Sequence, residues 1–261
     1  MSDRPGDPRP DDALQTAARA VARSARLAVF TGAGVSKESG IPTFREPETG
    51  LWARYDPMEL ATPEAYRRDP AFVWEWYVHR FGIAAAAEPN PGHRAIAELE
   101  ELLPRVVVIT QNIDGLHQRA GSTHVIELHG TMHSFRCIDG LHRGYTWEEI
   151  EGRPEKPPRC PECGDPLRPE VVWFGEGLPP DALSAAHQLS AACDVMLIVG
   201  TSGIVYPAAA MPAIAGEAGA TLIDVNPEED ALAHACDVFL RGPGGVVLPA
   251  LVAAVRGHLS A

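Results

Sequence analysis

Val29-Phe-Thr-Gly-Ala-Gly-Val-Ser-Lys-Glu-Ser-Gly-Ile-Pro-Thr-Phe-Arg-Glu46 joins a short apolar run to a glycine-rich turn. The apolar residues from Leu27 to Phe30 predict a buried strand, and Gly32 and Gly34 follow it at once. These glycines lack the Cβ atoms that would keep a phosphate away from the backbone, and a helix that opens near Ser36 would point its N–H groups at that phosphate. The stretch therefore predicts a nucleotide site of Rossmann type.

This turn departs from the usual dinucleotide-binding pattern. After Gly34 the next glycine is Gly40, so Gly-x-Gly-x-x-Gly is not satisfied. A glycine-rich strand-to-helix turn without a ligand is therefore the alternative interpretation of this stretch.

Strand, polar turn and helix recur along the chain. The apolar runs from Val106 to Thr110 and from Asp194 to Val199 are typical of central parallel strands. The predicted fold is therefore α/β, a doubly wound Rossmann-like parallel sheet. Ligands of such sheets bind at the carboxyl ends of the strands, so we expect the site to gather the polar clusters that follow these runs, which are residues 31–45, 111–114, 129, 200–202 and 226.

Two segments interrupt this alternation. One predicts short helices among Pro- and Gly-rich turns, and the other holds three cysteines with little periodicity. We expect a disordered tail (1–10) and one domain (11–261), which divides into a Rossmann-like core (11–45, 96–130, 171–261), a helical insertion (46–95) and a zinc-ribbon-like module (131–170).

Composition excludes several classes of function. The formal net charge of −13 argues against a surface for nucleic acid or an anionic membrane, and no apolar run approaches membrane-spanning length. The polar, Pro-rich residues 1–12 are unlike a signal peptide, and five cysteines do not suggest a disulfide framework. We expect a cytoplasmic enzyme. The sequence leaves the oligomeric state open, with a monomer as the working assumption.

Polar residues with chemical potential follow two of the predicted strands. Gln111, Asn112 and Asp114 could orient ribose hydroxyls or an amide ligand, and a neutral His129 at a cleft could act as a general base. Alternatively, Asn112 and Asp114 cap the next helix, and His129 is a hydrogen-bonded core residue.

The order of motifs resembles the sirtuins, which are NAD-dependent protein-lysine deacylases. The resemblance covers nearly the whole chain from about Arg23 to Leu251. It rests on Gly-Ala-Gly-Val-Ser with Gly-Ile-Pro-Thr-Phe-Arg, Thr-Gln-Asn-Ile-Asp-Gly-Leu-His, Leu-His-Gly, Val-Val-Trp-Phe-Gly-Glu, Gly-Thr-Ser and Asp-Val-Asn, in that order.

The resemblance implies how NAD would be bound. Five residues would hold the phosphates: Gly32, Ala33, Gly34, Ser36 and Arg45. The nicotinamide end would be covered by Phe44, its carboxamide held by Ile113 and Asp114, and its ribose contacted by Gln111 and Asn112. The adenosine half would be held by Gly200, Thr201, Ser202 and Asn226, with Gly244 near the adenine.

The resemblance also implies the chemistry. The acyl oxygen of an acylated protein lysine attacks the ribose carbon as nicotinamide leaves. His129 then takes a proton from a ribose hydroxyl, with Asn112 as a second catalytic residue. Water completes the transfer to give free lysine and 2′-O-acyl-ADP-ribose. Val172, Trp173 and Phe174 resemble the strand that pairs with the substrate backbone.

A narrower resemblance points to the acyl group. Tyr77 and Arg80 lie three residues apart in a predicted helix from Ala71 to Phe81, so they share one face with apolar neighbours. A buried arginine there needs a partner, which a ligand carboxylate would supply. This Tyr-x-x-Arg and the small Ala61 are similar to the class III sirtuins, which remove succinyl, malonyl and glutaryl groups. A snorkelling surface arginine is the alternative.

The cysteine module departs from the family pattern. Cys160-Pro-Glu-Cys163 is half of a structural zinc site, but Cys137 has no second cysteine beside it, and Gly140 stands where that thiolate belongs. His142 could complete a Cys3His site, and Asp139 is a poorer candidate. A degenerate module held together by packing alone is the alternative.

Three other functions compete with NAD-dependent deacylation. An ADP-ribosyltransferase would use the same NAD site. A non-catalytic binder is disfavoured by the joint presence of His129, Asn112 and Asp114, and a dehydrogenase by the missing third glycine.

Overall fold

The computed structural model describes residues 10–43, 54–229 and 232–260. The first helix begins at Pro10, inside the predicted tail, because proline suits the first position of a helix. The α-helices are α1 (Pro10–Arg23), α2 (Pro57–Leu60), α3 (Pro63–Arg68), α4 (Pro70–Ala86), α5 (Pro91–Leu102), α6 (Leu116–Ala120), α7 (Trp147–Ile150), α8 (Pro180–Ser190), α9 (Met211–Glu217) and α10 (Gly244–Leu259). The strands are β1 (Leu27–Thr31), β2 (Val106–Thr110), β3 (Val125–Glu127), β4 (Gly130–Cys137), β5 (Arg143–Tyr145), β6 (Leu167–Val171), β7 (Val195–Val199), β8 (Thr221–Asn226) and β9 (Val238–Arg241).

Six strands form one parallel sheet in the order β3-β2-β1-β7-β8-β9. β1, β2 and β7 are buried at every residue, because helices cover both faces of the sheet. Val29 packs in the cluster that includes α1, α5 and α10, whereas Phe30 packs in the cluster that includes α8 and α9. The predicted doubly wound α/β fold is confirmed.

A second, antiparallel sheet in the order β5-β4-β6 projects from the end of β3. His129 lies between β3 and β4, so it stands at the junction of the two sheets. The helices α2, α3 and α4 lie within the predicted helical insertion, and the predicted core boundary at residue 96 divides α5, whose Ala95 already packs in the core. Within the described residues, no helix is both long and apolar enough to cross a membrane.

Candidate active site

The glycine-rich turn after β1 packs against the turn after β7. The Gly32 amide donates to the Val199 carbonyl at 3.1 Å, and the Gly34 amide donates to the Gly200 carbonyl at 2.8 Å. A Cβ atom on Gly34 would lie 2.6 Å from the Gly200 oxygen. Glycine is therefore required here because the two turns are in contact. The sequence prediction had explained the same glycines by access of a phosphate to the backbone.

The helix that follows this turn also differs from the prediction. It is a 3₁₀ helix from Ala33 to Ser39, so it begins before Ser36, and Gly40 closes it with a positive φ of 84°. Two amides of the turn already donate within the protein, as described above. The Ser36 hydroxyl is buried and donates to the Asp114 carboxylate at 2.7 Å.

Gln111 and Asn226 tie the neighbouring turns together. The Gln111 Nε2 donates to the Thr201 hydroxyl at 2.8 Å, and the Asn226 Nδ2 donates to the Thr201 carbonyl at 3.2 Å. Thr201 follows β7, Gln111 follows β2 and Asn226 ends β8. The polar residues expected at the carboxyl ends of the strands thus meet at one edge of the sheet.

Asn112 and Asp114 differ in their local roles. The Asn112 side-chain amide donates to the Gly32 carbonyl and to the Ser36 hydroxyl, each at 3.1 Å, so it is not a helix cap. The Asp114 carboxylate accepts a hydrogen bond from the Leu116 amide at 3.0 Å, at the start of α6. Asp114 therefore also has the helix-capping role of the alternative interpretation. Asp114 is buried, and Ile113 between them packs among the residues of the helical insertion.

Two buried histidines that the sequence analysis did not single out support this edge. His117 lies 3.0 Å from the Thr31 hydroxyl, and its ring stands against that of His93 at 4.9 Å between centroids. Burial lowers the pKa of His93 to about 4 and that of His117 to about 3, so both rings are neutral. The signal available in the sequence was a histidine at the start of α5 and another inside the Gln111 motif.

His129 is placed between the sheet edge and the segment after β6. Its Nδ1 lies 2.9 Å from the Gln111 carbonyl oxygen, and its own carbonyl accepts the Val172 amide at 2.8 Å. A carbonyl can only accept, so Nδ1 carries the proton and Nε2 keeps its lone pair. Burial lowers the pKa of His129, and the hydrogen bond to Gln111 opposes this shift. The neutral imidazole therefore has the form that a general base requires.

The predicted acyl-binding residues Ala61 and Tyr77 contact the segment after β6, whose Val172 amide donates to the His129 carbonyl. Tyr77 and Arg80 are both buried on α4, which contradicts a snorkelling surface arginine. The Arg80 guanidinium stands 5.2 Å from the centroid of the Trp76 ring. Ala61, Tyr77 and Trp173 share one apolar cluster, and the Phe174 amide donates to the Ala61 carbonyl at 2.8 Å.

The remaining predicted NAD-binding residues flank this edge or lie outside the described part of the chain. Ser202 belongs to the turn after β7. Gly244 begins α10, and a Cβ atom on Gly244 would lie 3.5 Å from the Val199 side chain, so the start of α10 is close to the end of β7. Phe44 and Arg45 lie outside the described residues.

The cysteine module brings four donor groups together. Cys137, His142, Cys160 and Cys163 each offer one ligand atom, and these atoms all lie within 4.8 Å of one another. His142 presents Nδ1 to the Cys137 sulfur at 3.8 Å, while its Nε2 lies 3.4 Å from Glu162. Three sulfurs and one imidazole nitrogen match the ligands that zinc takes in tetrahedral structural sites. Asp139 instead accepts a hydrogen bond from the Cys137 thiol at 2.7 Å.

Comparison with known proteins places this geometry in a family. Residues 32–207 match the Sir2 family. An NAD-dependent protein deacylase 2 of Pyrobaculum aerophilum is 54% identical over 239 residues, which cover 92% of this chain and 94% of that protein.

Solved structures give the same result. A Sir2 homologue crystallised with NAD has a TM-score of 0.87 and 46% identity over 94% of each chain. Sir2Af2 bound to a myristoylated histone peptide has a TM-score of 0.78 and 40% identity, over 96% of this chain and 99% of that one.

Proposed function

The chain belongs to the Sir2 family and is an NAD-dependent protein deacylase, and we propose that it removes succinyl and malonyl as well as acetyl groups from protein lysines. The products would be free lysine, nicotinamide and 2′-O-acyl-ADP-ribose. The observation that supports the acidic acyl groups is the burial of Tyr77 and Arg80 on one face of α4, in the neighbourhood of the segment after β6.

NAD is assigned to the edge where the turns after β1, β2, β7 and β8 meet. The close contact between Gly34 and Gly200 holds the turn after β1 against the turn after β7, so the groups proposed to bind NAD lie side by side at this edge. Ala33, Phe44 and Arg45 would complete the phosphate and nicotinamide contacts, and Gly244 the adenine end. When bound, NAD would supply the ribose to which the acyl group passes.

The residues of the chain would bind, orient and move a proton. Asn112 and Asp114 are held by Ser36 and would present fixed polar groups to the nicotinamide-side ribose and the carboxamide. His129 would accept a proton at Nε2 from a hydroxyl group brought into the cleft, and its Nδ1 bond to Gln111 keeps the required tautomer. Val172 to Phe174 would pair with the backbone of the substrate peptide.

Tyr77 and Arg80 would receive the carboxylate of a succinyl or malonyl group. Arg80 is buried on the same face of α4 as Tyr77, and a guanidinium can bind a carboxylate through two parallel hydrogen bonds, which supports an anionic acyl group. Ala61 would leave room for a longer acyl chain because its side chain is a single methyl group.

The module is assigned a structural zinc ion, held by Cys137, Cys160, Cys163 and His142. The Nε2 of His142 would donate to Glu162, which is the usual support for a metal-bound histidine. Catalysis would not pass through this ion.

The test is a panel of peptides with succinyl-, malonyl- or acetyl-lysine, incubated with and without NAD and followed by mass spectrometry. We expect each acyl group to be removed in the samples that contain NAD and to remain on the peptide in the samples without it. A protein that removes acetyl but neither acidic group would refute the proposed preference. Transfer of labelled ADP-ribose to protein, undiminished by the peptides, would support the alternative of an ADP-ribosyltransferase.

A further inference from the structure

Trp173 joins the substrate segment to α4 through its side chain. Its indole Nε1 donates a hydrogen bond to the Tyr77 hydroxyl oxygen at 2.8 Å, across 96 positions of sequence. Both side chains are buried, and their rings stack at 6.5 Å between centroids. The backbone role predicted for Trp173 does not account for this contact.

The hydrogen bond decides which way the Tyr77 hydroxyl donates. An indole N–H is a donor only, so the Tyr77 oxygen must be the acceptor in this pair. The hydroxyl hydrogen is therefore turned away from Trp173 and is available to another acceptor. Burial raises the pKa of Tyr77, so the phenol keeps this hydrogen at neutral pH. Arg80, the charged neighbour one turn along α4, is itself a donor group.

Trp173 is held rigidly on several sides. The Arg168 guanidinium lies 3.1 Å from the centroid of its ring, and the Tyr66 ring lies 5.1 Å away. Glu176 accepts the Trp173 backbone amide at 2.9 Å and pairs with Arg168 at 2.6 and 2.9 Å. The indole therefore has little freedom to turn, and its N–H has a fixed direction.

We propose that Trp173 is a positioning residue for acyl selectivity, whose indole N–H directs the Tyr77 hydroxyl to donate to the carboxylate of an acidic acyl group. This inference rests on the proposed function. It assigns selectivity to three residues, Arg80 for charge, Tyr77 for the second hydrogen bond, and Trp173 for the direction of that bond. An acetyl group has no carboxylate, so its removal does not depend on this direction.

The experiment compares Trp173→Phe with wild type on succinyl- and acetyl-lysine peptides. Phenylalanine keeps an aromatic ring in the site and removes the N–H. The variant loses the group that directs the Tyr77 hydroxyl toward the carboxylate. The ratio of kcat/KM for succinyl-lysine to kcat/KM for acetyl-lysine should therefore fall by about 10-fold, mostly through a higher KM for succinyl-lysine. Trp74→Phe is the matched control, because Trp74 is also buried but packs against Phe135 of the module.

A double-mutant cycle separates positioning from packing. Tyr77→Phe should reduce succinyl activity, and adding Trp173→Phe to it should cause little further loss, because the indole then has no hydroxyl to direct. In a ¹⁵N–¹H spectrum, Tyr77→Phe should also shift the indole N–H signal of Trp173, a readout that is independent of catalysis.

Different outcomes refute different claims. If wild type removes no acidic acyl group, the proposed preference fails, and the role of Trp173 falls with it. If wild type does so and Trp173→Phe lowers succinyl and acetyl activity equally, or the two losses in the cycle multiply, only the positioning role of Trp173 is refuted.

Discussion

The Nδ1 of His129 donates to the carbonyl oxygen of Gln111 at 2.9 Å, from the loop between the two sheets to the turn after β2. This bond selects the tautomer with a lone pair on Nε2 and keeps the imidazole next to the residues assigned to the nicotinamide-side ribose. It therefore links the position of the proposed base to the position of the proposed NAD site.

The first prediction concerns this base. Replacing His129 by Asn should lower kcat for every acyl group by about 10²- to 10⁴-fold, because proton removal by a positioned base contributes that much. Burial lowers the pKa of His129, so in wild type kcat/KM should decline only below the ordinary histidine pKa of 6.5, as the ring becomes protonated. A pH–rate profile checks this. A decline that begins above this value would contradict the assignment.

The second prediction concerns the arginine of α4. Arg80→Met keeps a long apolar stem without the charge, so desuccinylation should fall by about 10- to 100-fold while deacetylation is spared. Rates on the two peptides with saturating NAD measure this split. Arg67→Met on α3 is the control, because the Arg67 side chain is 68% exposed and its pair with Glu64 is at the surface. Equal loss of both activities in Arg80→Met would refute the carboxylate role.

The third prediction concerns the contact between turns. Gly34→Ala would place a Cβ atom 2.6 Å from the Gly200 oxygen, so the two turns must separate. We expect a higher KM for NAD and a loss of stability of about 1–3 kcal/mol. Gly257→Ala in α10 is the control, since a Cβ atom there meets nothing within 4 Å. Titration with NAD and urea unfolding of both variants test this, and unchanged NAD affinity in Gly34→Ala would contradict it.

The fourth prediction concerns the module. Metal analysis of the purified protein should find about one zinc ion per chain, as a tetrahedral structural site requires. His142→Ala should lower this content and the melting temperature, whereas Asp139→Ala should leave the zinc content intact, because Asp139 is not one of the four clustered groups. Loss of zinc in Asp139→Ala with retention in His142→Ala would reverse the ligand assignment.

The fifth prediction concerns acid sensitivity. His93 and His117 have pKa values lowered by burial to about 4 and about 3, against 6.5 in an unfolded chain. Below about pH 6.5 the unfolded chain binds more protons than the folded one. The free energy of unfolding should therefore decrease as the pH is lowered, by about 2 kcal/mol per histidine from about pH 7 to about pH 5.

Urea unfolding at the two pH values measures this loss. The glutamine side chain in His117→Gln does not titrate in this range while His93 is kept, so the stability of the variant should depend less on pH than that of wild type. An unchanged pH dependence in His117→Gln would show that His117 is not buried in its neutral form.

Much of the fold could be read from local patterns. β1, β2 and β7 are continuous apolar runs, and such runs form central strands because both faces of the sheet are covered. The helix predicted for Ala71 to Phe81 extends from Pro70 to Ala86, because Asp69 caps its start and its apolar residues continue beyond Phe81. The helix after β1 was predicted to begin near Ser36, but it is a 3₁₀ helix that begins at Ala33. Its first residues contact the turn after β7, which is remote in sequence and gives no local signal.

The sequence by itself therefore determined the fold class, the family and the types of residue at the site, because periodicity and ordered motifs are local properties of the chain. Only the tertiary structure decided which groups meet. Three contacts are of this kind: the hydrogen bond from Trp173 to Tyr77, the pair of buried histidines His93 and His117, and the grouping of His142 with the three cysteines. Each depends on how elements pack in space, and burial and distance at a packed interface are not encoded in the spacing of one segment.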